Sequence, residues 1–478
     1  MRVSRTVDAV VIGSGHNGLV AAAYLARAGW RVEVLERNEL AGGAVATEEL
    51  TRPGYRHDTF SSWHPLFHLS AAWAELGPEL RERGLEYVNA EDVVTATALP
   101  DGSAVVAHRD AERTVAELAP ADGRAYLEDL EALGASMDVV GELLGTELQS
   151  AHAARLAARL GRRLGVREAR GFGALLARSA RGWLETRFEG RQLGDLLAPW
   201  VLHTGLTPDD AGGAFQLTAL AGALHEVGLP VVRGGSDGFV RAFVQLIEDT
   251  GGSVRTGTEV ERIVMRDARA VGVETADGQV VAARAVIASA TPTQLYGRLL
   301  PPGAAPERAV AEAHGFKYAD RAGMQIHLAL SEPPRWRGDA AGEIDVGDGT
   351  WTSELENAYA DRIVARLASQ IENLPAAIAG RAILSPAELE RRNLSFVRGD
   401  IYAGATTLDQ SYLWRPLPSF GSHRTPVPGL YQIGASTYPG PGLNAASGRI
   451  AALELLRPSP LEQVRARLSR RQRPPARS

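Results

Sequence analysis

The sequence predicts an α/β fold: a parallel sheet flanked by helices, interleaved with a mixed, largely helical second domain. Three observations predict it. A strand–glycine loop–helix–strand unit stands at the N-terminus. A long Leu- and Ala-rich stretch of helical pattern follows, from 66 to 230. Strand texture with tight turns then returns twice, at 231–300 and again near residue 430.

Residues 7–12 (Val7 to Ile12) are apolar without alternation, as in a parallel strand buried on both faces. Residues 17–28 are Ala-rich, with Gly29 as a stop signal, and read as a helix. Residues 31–36 (Arg31 to Glu36) read as the second strand, so the crossover is right-handed. The connecting loop is Gly13-Ser14-Gly15-His16-Asn17-Gly18, a GxGxxG. Glycine lets such a loop turn tightly and approach a pyrophosphate, while the helix N-terminus offers free N–H groups and partial positive charge. Glu36 closes the second strand about 20 residues later, where a carboxylate accepts hydrogen bonds from ribose hydroxyls. A lone glycine motif arises by chance. This one has its strand before it and its helix after it, which predicts a dinucleotide site.

In the helical stretch, Leu156, Leu160 and Leu164 recur on one face among Arg155, Arg159, Arg162 and Arg163. Arg233-Gly234-Gly235 opens a helix at about 236–250. Short strands follow at 259–265, 270–275, 279–281 and 284–289, with Ala276-Asp277-Gly278 as a hairpin turn. Residues 322–330 alternate as a strand, and 338–350 read as a Gly/Asp-rich loop. A buried strand at 430–434 and a helix at 443–456 complete the pattern, ahead of an Arg- and Pro-rich tail expected to be disordered. The domain reading is therefore 1–65, 231–300 and 401–457 for the dinucleotide layer, 66–230 and 301–400 for the second domain, and 458–478 for the tail.

Composition narrows the chemistry. There is no Cys, which excludes disulfides, thiolate catalysis and Cys-ligated metals. No His/Asp/Glu cluster has metal-ligand spacing, so no metal is expected. The net charge of −6 argues against a nucleic-acid partner. Met1 to Thr6 leaves no room for a targeting segment, and no apolar run reaches about 18 residues, so the expected location is the cytoplasm. The Arg-rich stretch 151–181 suits a peripheral membrane contact, but a solvated helix face is the preferred reading.

Glu36-Arg37 is followed by a second glycine pair, Gly42-Gly43. With that pair, Asp8 to Thr47 resembles the flavoprotein superfamily of amine oxidases, phytoene desaturases and Rab GDP-dissociation inhibitors. Three later segments are similar too. They are Gly234-Gly235-Ser236-Asp237-Gly238-Phe239, the strand-rich run 254–290, and Leu430 to Ala435 with Tyr438 to Ala446. The narrower likeness is to phytoene-dehydrogenase-like oxidoreductases of the pyridine nucleotide-disulphide oxidoreductase domain-containing protein 2 group. It rests on Gly15 to Val20 and Asp409 to Pro416. Two departures stand out: the region 342–351 is short for the group, and the C-terminal motif lacks a longer glycine run.

The resemblance implies a Rossmann-like FAD-binding domain with a β-meander and FAD as cofactor. Gly13, Ser14, Gly15, Asn17, Gly18, Glu36, Arg37, Gly42 and Gly43 would form the first cofactor segment. Val260 would lend backbone groups to the adenine, and Gly434 and Ala435 would approach the pyrophosphate or ribityl chain. Gly442, Leu443 and Asn444 would meet the flavin, with the following helix aiming its N-terminus at the N1–C2=O edge.

The implied reaction is a dehydrogenation, in which a C–C or C–N bond of an apolar small molecule loses hydride to flavin N5. His57 and His64 are the candidate bases, each set against a hydrogen-bonded structural role. Arg415 is the other polar catalytic candidate, set against a surface ion pair. Trp200, Trp351 and Trp414 are candidate pocket walls, set against ordinary core positions. Two alternatives stand beside the dehydrogenase. One is a non-enzymatic interaction protein on the same scaffold, as the Rab inhibitors are. The other is an amine oxidase, for which Tyr431 and Tyr438 are the available aromatics.

Overall fold

β1 (Arg5–Ile12) lies in the middle of a seven-stranded sheet because its run Val10-Val11-Ile12 has no polar face to turn outward. The computed structural model describes residues 3–99, 103–319, 321–335 and 352–457. β1 pairs in parallel with β2 (Val32–Leu35), which pairs in parallel with β3 (Ser253–Arg255). On its other side β1 pairs in parallel with β6 (Val280–Ser289), in register Val10 with Val286. β4 (Val260–Arg266) and β5 (Arg269–Thr275) form an antiparallel hairpin beside it, and β7 (Leu430–Ile433) closes the set.

β6 does two jobs along its length. Val280 to Ala282 pair antiparallel with β5, while Val286 to Ser289 pair in parallel with β7. It is one continuous strand, whereas the sequence pattern predicts two short ones at 279–281 and 284–289. Arg284 does not break it, because it sits at an exposed position. Its guanidinium is 3.8 Å from the Trp30 ring centroid and 3.6 Å from Asp8.

Three helices cover one face: α1 (His16–Arg27), α2 (Asp237–Asp249) and α3 (Ala446–Leu456). Leu19, Leu25, Phe239, Phe243, Leu246 and Ala451 meet there in one buried cluster. The other face is buried by Ile263, Val273, Leu295, Leu299 and Ala309. The sheet is thus doubly covered, as its apolar parallel strands require.

The second layer packs helices 120–134, 151–177, 180–187 and 192–203 around a central one, Gly213–Val227. Helix Ala151–Ala177 bends at Gly165, which has φ 71°. Ala153, Leu156 and Leu160 point inward, while Arg159 and Arg163 pair outward with Glu142 and Asp138. The helical reading of 66–230 misses an antiparallel hairpin, Val93–Ala98 with Ala104–His108. The strand expected at 322–330 spans Gln325–Leu330 and pairs with Ile378–Leu384. The loop at 338–350, Trp351 and the tail at 458–478 lie outside the described residues. Among the described residues no helix is long and apolar enough to cross a membrane.

α3 meets α1 almost backbone to backbone. A Cβ on Gly448 would stand 2.1 Å from the Asn17 carbonyl oxygen, so no side chain fits. Gly161, in the helical layer, has nothing within 4 Å of its would-be Cβ. Gly448→Ala is therefore expected to lower Tm sharply, by overpacking worth roughly 1–3 kcal/mol or more. Gly161→Ala is expected to be neutral or to raise stability by roughly 0.5–1 kcal/mol. Thermal unfolding of the two variants checks the contrast.

Candidate active site

A cavity of about 1040 Å³ opens at the carboxyl ends of β1, β2, β6 and β7, where Ile12, Leu35, Ser289 and Ile433 reach it. Ligands of open α/β sheets bind at such ends. The volume sits at the top of the roughly 300–1,000 Å³ range of small-molecule sites. Gly13, Gly15, Asn17, Glu36, Arg37, Gly43, Val260, Gly434, Ala435, Gly442, Leu443, Asn444, His64 and Arg415 all border it.

Ser14, Gly18 and Gly42 lie one layer behind. The Glu36 carboxylate is buried and accepts from the Ser14 N–H at 2.9 Å, the Ser14 hydroxyl at 2.8 Å and the Asn38 N–H at 2.9 Å. The Ser14 hydroxyl in turn accepts from the Gly42 N–H at 3.1 Å. One carboxylate therefore ties the glycine loop to the second glycine pair. Gly42 has φ +122° and a would-be Cβ 2.1 Å from the Val45 carbonyl, so only glycine can make that approach.

The C-terminal segment is held from both sides. Asn17 Oδ1 accepts from the Gly448 N–H at 3.0 Å. That fixes its Nδ2 as the donor toward His16 Nε2, 2.9 Å away. His16 also hydrogen-bonds the Gly442 backbone, and burial lowers its pKa to about 4, so the ring is neutral. Helix α3 starts at Ala446, later than the expected 443, because Ala445 takes a left-handed conformation with φ 60°. The Ala446 N–H is capped by Asn444 Oδ1 at 2.9 Å. Two of the first-turn donors expected to be free are thus spent inside the protein, while the helix dipole still points at the cavity.

Two catalytic assignments need correction. His57 borders a separate, more open pocket with His327, and its Nε2 lies 2.8 Å from the Thr51 hydroxyl. Its strand, His57–Asp58, pairs with Thr47–Glu48, and the residue does not border the main cavity. Arg415 is neither a surface ion-pair partner nor free to act on a substrate. It is fully buried, and its donors go to the carbonyls of Ala435 (3.0 and 2.8 Å), Ala405 (2.9 Å), Gln410 (3.2 Å) and Gly404 (3.4 Å). Desolvation lowers its pKa to about 10, which leaves it charged at neutral pH as a strut.

His64 is buried, with Nδ1 2.8 Å from the Tyr87 hydroxyl. Burial lowers its pKa to about 3, which makes it a poor proton acceptor at neutral pH. Trp200 borders the cavity, but Trp414 is exposed away from it. Sequence reasoning does not single out His16, Trp63, His203 or Thr406, all of which border the cavity. They come from four separate segments, so no spacing marks them as a group.

The family model for flavin containing amine oxidoreductase matches residues 18–359, well over half the chain. The chain belongs to this family. It is a flavin-dependent oxidoreductase, and the family's cofactor is FAD. The residues bordering the cavity fit that cofactor: a buried carboxylate, Glu36, stands beside the glycines of the first loop, and apolar side chains such as Trp63, Leu66, Trp200 and Phe215 form the rest of the wall. The chain is 26% identical to a limonene dehydrogenase polypeptide of Castellaniella defragrans, over 93% of each chain. It is 26% identical to pyridine nucleotide-disulfide oxidoreductase domain-containing protein 2 of Mus musculus, over 94% of this chain and 93% of the relative. The first of these alignments spans 528 residues, longer than this chain, so that relative carries segments absent here. Putrescine oxidase bound to putrescine has the same fold, with TM-score 0.63 at 16% identity over 94% of this chain and 99% of that one.

Asn17→Ala removes the joint between the first loop and α3. FAD affinity, read from flavin fluorescence, is expected to fall about tenfold or more, since buried donors are left unpaired. An unchanged Kd would contradict the role given to Asn17.

His16 and His64 also set a pH dependence. Both have folded-state pKa values below the ordinary 6.5, so as pH falls the unfolded chain takes up protons first. Stability is full above about pH 6.5 and is lost as pH drops toward 4, by roughly 3 kcal/mol for His16 alone. Tm should fall over that window, with a shallower slope in His64→Gln.

Proposed function

We propose that this oxidoreductase dehydrogenates a neutral, largely apolar small molecule across a C–C bond, with a C–N bond as the less favoured case. The dinucleotide layer holds FAD, and segments 66–230 and 301–400 act as the substrate domain. Bound FAD supplies the hydride acceptor at N5. One substrate C–H bond breaks with its electron pair leaving as hydride, the neighbouring carbon gives a proton to water, and a double bond forms between them.

The observation that carries this reading is the charge of the chamber wall. Among the described residues, the only acids bordering the cavity are Glu36 and Glu259, both at the dinucleotide end beside Arg37 and Val260. The far end is walled by Trp63, Leu66, Met137, Trp200 and Phe215. An ammonium group there would be desolvated with no counter-charge, which is costly. Tyr431 and Tyr438, the aromatics open to an amine oxidase, do not border the cavity. Tyr438 is buried with its hydroxyl on the Leu143 carbonyl at 2.9 Å, and Tyr431 packs beneath Arg424. The relative named for dehydrogenating limonene, a hydrocarbon, points the same way.

The chain's own groups hold rather than react. His16 and Asn17 fix the Gly442 turn, and Arg415 pins Ala435. The test is anaerobic flavin bleaching in the purified yellow protein. Limonene is expected to bleach the visible band, and putrescine is expected to leave it unchanged. Bleaching by the amine alone would overturn the proposal, as would a purified protein that takes up no FAD.

A further inference from the structure

A short segment of the 301–400 region lies across the dinucleotide end of the cavity. It continues the helix Pro386–Arg392 and runs from Arg391 to Phe396. Its carbonyls are bonded on both sides of the glycine loop. The Arg391 carbonyl accepts from the Arg37 guanidinium at 3.2 Å, and the Arg392 carbonyl from Asn38 Nδ2 at 3.1 Å. The Leu394 carbonyl accepts from the Gln294 side-chain amide. Arg37 and Asn38 follow β2, Gln294 follows β6, and β1 lies between those two strands. The segment therefore crosses the carboxyl end of β1, where the loop Gly13–Gly18 begins. Phe396 anchors its far end, with its ring centroid 5.5 Å from that of Phe60.

Asn393 sits at the middle of this crossing and borders the cavity. Its N–H donates to the Leu389 carbonyl at 2.9 Å, and its own carbonyl accepts from the Phe396 N–H at 2.8 Å. Its Oδ1 accepts from the Ser395 N–H at 3.0 Å, which fixes Nδ2 as the donor end of the amide. Nδ2 makes no hydrogen bond among the described residues. It stands 4.0 Å from the position a Cβ on Gly43 would take, and that Cβ would be 3.0 Å from Gly15 Cα. A pre-oriented donor thus faces the place where the two glycine segments meet. Diphosphates bind at such glycine loops, and a donor held in position loses little freedom on binding one.

We infer that residues 391–396 form a strap over bound FAD, and that Asn393 Nδ2 donates to the cofactor's diphosphate. The inference rests on the FAD assignment alone and holds whichever bond of the substrate is dehydrogenated. It gives the 301–400 region a second task, because the chain that helps to wall the substrate chamber also closes the cofactor groove. The three carbonyl bonds from Arg37, Asn38 and Gln294 hold the strap down, so FAD enters and leaves only when it lifts. Asn393 is a cofactor-binding residue here, with no part in the hydride or proton transfer.

The test measures FAD exchange in the full-length protein, in both directions and without turnover. Release is followed from holoprotein as the gain in free-flavin fluorescence on dilution. Uptake is followed as quenching when FAD is mixed with protein stripped of flavin. Asn393→Ala should speed release about tenfold or more, because a hydrogen bond to a charged group is lost. Asn393→Asp should speed it further, since a carboxylate donates nothing and repels the phosphates. Gln294→Ala loosens the strap and should raise uptake and release together, each by about threefold or more, because a cover slows both. Asn38→Ala, on the opposite side, should do the same. Two smaller probes separate the diphosphate contact from general loosening. ADP carries the diphosphate and should compete for uptake about tenfold less well in Asn393→Ala, while riboflavin, which lacks it, should bind both proteins within about twofold. Unchanged release in Asn393→Ala would overturn the inference, as would equal weakening of ADP and riboflavin. Uptake that stays the same in both Gln294→Ala and Asn38→Ala would overturn the strap.

Discussion

The cofactor site depends on one side-chain amide. Asn17 accepts from the Gly448 N–H, donates to His16, and packs its main-chain carbonyl against the one position of α3 that has no side chain. His16 carries the contact on to Gly442. These bonds join the first loop of the chain to its last helix. Ser447, next to Gly448, extends the joint: its hydroxyl takes the Gly434 N–H at 3.0 Å and lies 3.2 Å from His423 Nε2. The other nitrogen of His423 is 2.8 Å from Glu147, which belongs to the helical layer. A continuous set of hydrogen bonds thus runs from the glycine loop through α3 into the second layer.

The two ends of the cavity are built on different principles. At the dinucleotide end, backbone groups and one buried carboxylate do the positioning, and close main-chain approach leaves little freedom of sequence. At the chamber end, side chains from the helical layer and from 60–66 form a largely apolar wall. Arg415 separates the two. A buried guanidinium with no carboxylate on it is expensive, and five hydrogen bonds to four carbonyls offset that cost. In return the 404–410 loop is locked to Ala435, so the chamber floor is rigid where it meets the cofactor segment.

The sheet and the cofactor end are legible in the sequence because they are local. A strand, a glycine loop and a helix are consecutive, and the apolar runs of β1, β2 and β7 carry their own burial signal. The hairpin at 93–108 is not legible, since its exposed Val93, Ala96 and Ala98 follow no clean alternation and sit inside a helical context. Arg415 misleads because charge in a sequence suggests surface, and only the fold shows four carbonyls converging on it. His57 and His64 are close in sequence, yet only His64 borders the main cavity, while His57 borders the second pocket. The rings of Trp63, Trp200 and His203 lie 5.4 to 5.8 Å apart, but they come from segments far apart in the chain, so the group exists only after folding.

Native-state hydrogen exchange at two amides tests the central claim most directly. The Leu19 N–H is bonded within α1 to the Gly15 carbonyl, and the Gly448 N–H to Asn17 Oδ1. If the Asn17 joint makes the first loop and the last helix one unit, the two amides open with the same free energy and slow together on addition of FAD. A Gly448 amide that exchanges like a fraying terminus while Leu19 stays protected would contradict it.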